Sequence, residues 1–326
     1  LTEDSRITLA EWLDRWLEQM ALTIRPSTLD RYHSDMEYHV KPYLGHKKLS
    51  QITAVDLRNL YQTLQEHGRI SPRPDQDPGL SPATVHGIHT TLHQALQAAV
   101  EQGLMPGNPA RQVEAPKILR KTMNILTEEQ LKAFLAATDW DPVWRDFFYT
   151  ELTTGLRLGE ICGLMWNDFD GRKGTLRVNR TLHKENGGRL VAGDTKTYAG
   201  TRTILLPTST AERLTERKKC SYSPWIFHDP LRPEVPLNPG TAYRQLKKFL
   251  AEAGLPTLRF HDLRHTFATH ALSNGVDAKT LSGILGHTKA SFTLDTYTHT
   301  TTDMHKKVAE IVGGFLTDYL GEEMAP

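Results

Sequence analysis

Apolar positions in the first third of the chain recur at helical spacing. Leu9, Trp12, Leu13, Trp16, Leu17 and Met20 follow the i, i+3, i+4, i+7, i+8, i+11 rule of an amphipathic helix. Thr8 and Glu11 form a capping box, in which hydroxyl and carboxylate each satisfy a backbone N–H at the helix start. A second stripe, Leu29, Tyr32 and Met36, predicts a helix that Ser27 opens. It should stop near Lys41-Pro42, because the residue before a proline avoids helical angles. A third helix is predicted from Thr53 through Leu57, Leu60, Tyr61 and Leu64. Residues 68–80 hold two glycines and three prolines and read as a loop. Ser81-Pro82 then opens a long helix, with serine as N-cap and proline at the first helical position. Its inward residues are Val85, Ile88, Leu92, Leu96 and Ala99, and Gly103 ends it. These four helices predict a small bundle over residues 1–113.

Pro106-Gly107-Asn108-Pro109 and the stretch from Glu114 to Lys121 read as an interdomain linker, bounded at 114–123. Its prolines and basic residues suit a segment that tracks a polyanion, and equally a solvated tether. A second domain is predicted over 124–326. Thr127 and Gln130 make another capping box, followed by Leu131, Phe134 and Leu135. A helix over about 142–153 breaks at Gly155, and a further one carries Leu158, Ile161 and Leu164. The period then changes to two. Thr175–Asn179 and Arg202–Leu206 alternate as strands, with a turn at Gly187-Gly188. From Thr241 the pattern is helical nearly to the end, and residues 303–326 form a predicted tail helix. The fold class is mainly α with a small β-sheet.

Composition narrows the function classes. No apolar run is long enough for a membrane span, and the N-terminus has no signal-peptide pattern. Two cysteines, Cys162 and Cys220, fit a reducing compartment. The net charge is +1. Residues 1–113 hold 11 basic and 13 acidic side chains, so a basic surface must come from placement rather than from the sum. The chain lacks an initiator Met, which leads to the expectation of a trimmed segment.

Candidate chemistry lies in short strings. Arg157, in Thr154-Gly155-Leu156-Arg157-Leu158-Gly159-Glu160, sits at a helix start, where backbone N–H groups favour an anion. A guanidinium there can hold two oxygens of one phosphate; the plain structural alternative is an ion pair with Glu160. His261 and Arg264 share one helical face, a base beside a fixed cation, or else only a polar surface. Leu285-Gly286-His287 aims His287 from a sharp turn. Tyr297 could be an ordinary amphipathic core residue; as a nucleophile it would need cations nearby, since a free phenol has a pKa of about 10. His86, His89 and His93 fall at i, i+3 and i+7 on one helix. They read as a polar face or, less readily, a metal site without a completing carboxylate or Cys.

The ordered set Arg157, Lys196, His261, Arg264, His287 and Tyr297 resembles the tyrosine recombinase (phage integrase) family. The matching strings are the Arg157 string, Thr195-Lys196-Thr197, His261-Asp262-Leu263-Arg264-His265-Thr266, Leu285-Gly286-His287 and Asp295-Thr296-Tyr297-Thr298-His299. The closest subgroup in appearance is the integrases of conjugative transposons. Their usual N-terminal arm-binding domain is missing from this chain, again an expectation of trimming.

The resemblance implies a helical core-type DNA-binding domain, a linker and a mostly helical catalytic domain. It also implies a site-specific recombinase that integrates and excises a mobile element. Tyr297 would attack a scissile phosphate, giving a 3′-phosphotyrosyl bond and a free 5′-hydroxyl. Arg157 and Arg264 would hold the nonbridging oxygens, Lys196 would protonate the leaving oxygen, and His261 would act as general base. His287 would donate to the phosphate, and Glu160 would orient Arg157 or His261. No cofactor and no metal are implied. The implied partners are double-stranded DNA and further copies of the chain, tetrameric on DNA through the tail. An accessory excision or DNA-bending protein is a further candidate partner, and no membrane is involved. Two other readings compete: a type IB topoisomerase-like relaxing enzyme, and a catalytically silent DNA-binding regulator.

Overall fold

The computed structural model describes residues 7–118, 124–184, 189–194 and 200–287. The chain divides into two compact units between Lys121 and Thr122.

In the N-terminal unit the predicted stripes become helices: α1 (Leu9–Ala21), α2 (Pro26–His39), the single turn α3 (Lys41–Leu44), α4 (Ala54–His67) and α5 (Pro82–Glu101). Leu9, Leu13, Leu57, Leu64, Val85 and Ile88 are fully buried in its core. The capping box of Thr8 with Glu11 closes, and so does one of Thr53 with Asp56. A cap of this kind contributes about 0.5–2 kcal/mol over alanine. Trp12 is buried, and its indole N–H donates to the Ala95 carbonyl at 2.9 Å, so the polar atom it carries inward is satisfied.

Two local expectations change. α2 begins at Pro26 with Arg25 as its N-cap, so Ser27 is inside the helix. The proline, pre-set to helical φ and missing only an N–H that a first turn leaves unused anyway, is the better opener. The helix ends at His39, close to the expected stop at Lys41-Pro42, and Pro42 lies in the separate turn α3. Pro106–Pro109, read as linker, instead folds onto the bundle. The Asn108 side chain accepts from Ala110 N–H at 3.0 Å and donates to the His93 carbonyl at 3.0 Å. Met105, Ala110 and Val113 join the apolar core around it.

The C-terminal unit opens with α6 (Glu128–Thr138), capped by the Thr127–Gln130 box, then α7 (Pro142–Thr154) and the short α8 (Leu158–Cys162). Strands β1 (Phe169–Asp170), β2 (Thr175–Val178) and β5 (Arg202–Leu205) form an antiparallel sheet in the order β1-β2-β5. Between β2 and β5 the chain makes a hairpin of β3 (Arg180–Lys184) and β4 (Leu190–Asp194). Its expected turn at Gly187-Gly188 lies outside the described residues.

α9 (Thr208–Lys219), the hairpin β6 (His228–Asp229) and β7 (Arg232–Pro236), then α10 (Pro239–Glu252), α11 (Phe260–Ser273) and α12 (Ala278–Leu285) follow. The sequence patterns do not single out α9 or the β6–β7 hairpin. α9 starts without a side-chain cap and buries only Thr210, Ala211 and Leu214, too little to show as a stripe. The core is aromatic: Phe134, Phe147, Phe148, Phe227 and Phe249 are fully buried, with edge-to-face pairs such as Phe134–Phe148 and Phe147–Phe227 at 5.1 Å. α7 and α11 pack together in its middle. Among the described residues no helix is long and apolar enough to cross a membrane.

Candidate active site

Two helices end at glycines in the left-handed region. α7 ends at Gly155 with φ 59°, and α12 ends at Gly286 with φ 65°. At Gly155 a side chain is also excluded by space, since a Cβ would meet the Phe267 ring at 2.4 Å. The reversal at Gly155 makes Arg157 the N-cap of α8. Glu160 reaches back from the next turn, accepting from the Arg157 backbone N–H at 3.0 Å and from its Nη1 at 2.7 Å.

The last carbonyls of a helix have no partner within it, and the dipole makes that end attractive to cations. At α12 every one is accounted for. Ser282 O and Gly283 O accept from the His287 and Gly286 N–H groups. The next three carbonyls each take a different arginine. Ile284 O accepts from Arg202 Nε, Leu285 O from Arg264 Nη2 at 2.6 Å, and Gly286 O from Arg157 Nη2 at 3.2 Å. Arg264, with no exposed surface, also donates through Nη1 to Gly155 O at 2.7 Å. The ends of α7 and α12 together therefore hold the guanidiniums.

Arg264 Nη2 lies 2.9 Å from His287 Nε2. Arginine only donates, so Nε2 accepts and the ring proton sits on Nδ1. Desolvation and the charges of Arg264 and Arg157 push the His287 pKa down to about 4. His261 is also pushed down to about 4, by desolvation and then by His265, Arg264 and Arg157; its ring stands edge-on to His265 at 4.6 Å. Both are neutral at pH 7, as a base and a neutral donor should be. For Glu160 burial raises the pKa, but the hydrogen bonds from Arg202 and the charges of Arg202 and Arg157 outweigh it, and the carboxylate stays ionised. Glu151, in the last turn of α7, has no exposed surface and, among the described residues, no hydrogen-bond partner for its carboxyl. Burial holds its pKa well above the ordinary value.

Arg157, Glu160, His261, Arg264 and His287 are thus gathered at one place. The Arg157–Glu160 ion pair is real, but it is one edge of a larger cluster. Among the described residues Glu160 bonds to Arg157 and Arg202, not to His261. Lys196, Tyr297 and the tail segment 303–326 lie outside the described residues.

Arg202 escaped the sequence reading, because on an alternating strand it looks like any outward polar residue. Its signal was position alone, the first residue of β5 just after Thr195-Lys196-Thr197. The histidines of α5 are engaged separately: His89 with the Tyr61 hydroxyl at 2.9 Å, and His86 with Pro116 O at 3.1 Å. Among the described residues no His, Cys, Asp or Glu group is placed to hold a metal.

Among the described residues three arginines and one ionised carboxylate leave a net charge of +2. Such a fixed cationic site stabilises an anion whose charge grows during reaction.

Residues 124–304 match the phage integrase family, and residues 8–65 match the phage integrase N-terminal SAM-like domain. The integrase of Mycobacterium phage L5 is 30% identical, over 87% of this chain and 73% of its own. The Tn1549 transposon integrase, solved in complex with transposon right end DNA, has the same fold, with a TM-score of 0.79 at 21% identity over 94% of this chain and 100% of that one. A chain of the lambda integrase tetramer bound to a Holliday junction has the same fold, with a TM-score of 0.68 at 23% identity over 89% of this chain and 80% of that one.

Proposed function

The chain belongs to the phage integrase family, the tyrosine recombinases, and from that membership we propose how it works: it is a site-specific DNA recombinase that cuts and rejoins duplex DNA through a 3′-phosphotyrosyl intermediate, integrating and excising a mobile element. The observation that carries the reading is the convergence of Arg157, Arg264 and His287 on the end of α12.

In the proposed reaction the Tyr297 oxygen attacks the scissile phosphorus. His261, neutral at pH 7, takes the phenol proton. Arg157 and Arg264 face the nonbridging oxygens, whose charge grows as the fifth bond forms. His287 donates from Nδ1–H, since its Nε2 accepts from Arg264. Lys196 protonates the departing 5′-oxygen. Rejoining runs the same steps backwards, with a 5′-hydroxyl as the attacking group. The ester keeps the bond energy, so no nucleotide enters the scheme, and the arginines supply the positive charge. The partner is double-stranded DNA, gripped by the bundle of residues 1–113 and the catalytic unit, joined by 114–123. Strand exchange between two duplexes takes four cuts and hence four copies, an arrangement supported by the lambda tetramer on its junction. The apolar stripe Val308, Ile311, Val312, Phe315, Leu316 and Tyr319 supplies the contact between copies. An accessory excision or DNA-bending protein completes the assembly. The place of action is the bacterial cytoplasm and nucleoid.

A pool of nicked duplexes with random cores tests this. Cutting beside a nick releases a short strand, so the enzyme stays attached. The expected result is a covalent adduct whose DNA shares one consensus. Binding without an adduct would favour the silent regulator. Equal relaxation of plasmids with and without that consensus would favour the topoisomerase-like enzyme.

A further inference from the structure

We propose that Arg202 is a positioning residue of the cleavage reaction, one that keeps Glu160 from capturing Arg157. The inference rests on the recombinase reading above.

The Arg202 side chain is 8% exposed and that of Glu160 3%, whereas Arg157 is 39% exposed. The buried ion pair of the site is therefore Arg202–Glu160, and Arg157 is the partner turned outward. Arg202 meets both Glu160 oxygens, Nη2 to Oε2 at 2.9 Å and Nη1 to Oε1 at 3.2 Å. Its Nη1 also reaches Gly200 O at 3.1 Å, and its Nε reaches Ile284 O. One side chain thus ties the start of β5, the first turn of α8 and the end of α12 together. All three of its nitrogens are engaged within the protein. Arg157 spends Nη1 on Glu160 and Nη2 on Gly286 O.

A buried carboxylate needs a compensating cation. With Arg202 present, that demand is met from the buried side by a two-pronged contact, and Arg157 shares only one oxygen through its side chain. Without Arg202, Glu160 would have Arg157 as its one hydrogen-bonded cation among the described residues. The pair would tighten, Arg157 would turn inward, and its charge would no longer balance that growing on the phosphate. Arg202 thus acts through Arg157 rather than on the substrate.

The consequence separates two substrates. A methylphosphonate at the scissile position carries no negative charge, so it asks little of Arg157. On the duplex recovered from the nicked pool, Arg202→Met should form its covalent adduct at least ~10-fold more slowly than the parent when the scissile group is a phosphate. With the methylphosphonate, rates of variant and parent should agree within about 3-fold. Arg202→Lys, a cation without the fork, should fall between the two on the phosphate. If the Met variant does not fold, the Lys variant carries the same two-substrate comparison. Equal slowing on both substrates would overturn the proposal, because a merely structural role, or one exerted through the Lys196 segment, does not depend on that charge. Undiminished cleavage of the phosphate duplex would overturn it too. The parent's own adduct on the phosphate duplex tests the recombinase reading by itself.

Discussion

In the N-terminal bundle the polar contacts that shape the helices are local, such as Thr8 with Glu11 and Thr53 with Asp56, three residues apart. In the C-terminal unit the contacts that build the site join residues far apart: Arg202 and Glu160 by 42 positions, Arg264 and Gly155 by 109, Arg157 and Gly286 by 129. The first region is an apolar core with satisfied ends. The second is a knot of buried charges, tolerated because two helix C-termini and one carboxylate face it. Damage should therefore register as lost stability in the bundle and as lost chemistry in the site.

The largest effect expected is at Tyr297. Tyr297→Phe removes the attacking oxygen and keeps the ring, so no covalent adduct should form while DNA affinity in a gel-shift assay stays near the parent's. An adduct that persists would remove the chemistry from this residue. On the other side of the comparison, Trp12→Ala should lower unfolding free energy by about 3–5 kcal/mol, the usual cost of emptying a large aromatic site. Urea denaturation measures it, and a loss below about 1 kcal/mol would mean the bundle is not held by its core.

Arg157→Lys keeps the charge and loses the fork. Adduct formation should slow at least ~10-fold, or about 1.4 kcal/mol, with affinity nearly unchanged because many other phosphate contacts remain. Slower cleavage accompanied by an equal loss of folding stability would blur the contrast between the regions.

The smallest effect concerns pH. The raised pKa of Glu151 means that its contribution to stability is present at low pH and lost as pH rises through the folded value. Glu151→Gln should therefore stabilise the protein more at pH 8 than at pH 5. His261 and His287 run the other way. Their pKa values fall from 6.5 to about 4, so the unfolded chain binds protons first and stability drops as pH falls through that window. Urea midpoints at pH 8, 6.5 and 5 resolve both trends.

The same contrast governs how much was legible beforehand. Stripes such as Leu9–Met20 and Val85–Ala99 are visible because a helix buries every third or fourth residue, and their boxes because caps are local. What the local pattern does not show there is small: that Pro26 rather than Ser27 opens α2, and that Asn108 pins Pro106–Pro109 to the bundle. In the site, no local rule brings Arg264 to the carbonyl of Gly155. The gathering was legible only through the order of motifs and their family resemblance. Arg202 belongs to no such motif string, so only the fold reveals that it shares Glu160 with Arg157.

In the proposed reaction a tyrosine, served by fixed arginines, cuts DNA without help from a metal. The most direct test is to form the adduct with the nicked duplex in EDTA, digest the protein and locate the nucleotide by mass spectrometry. Full adduct formation is expected in EDTA, with the DNA joined through its 3′-phosphate to Tyr297. Attachment at another residue such as Tyr319, or an adduct that appears only when Mg²⁺ is restored, would contradict it.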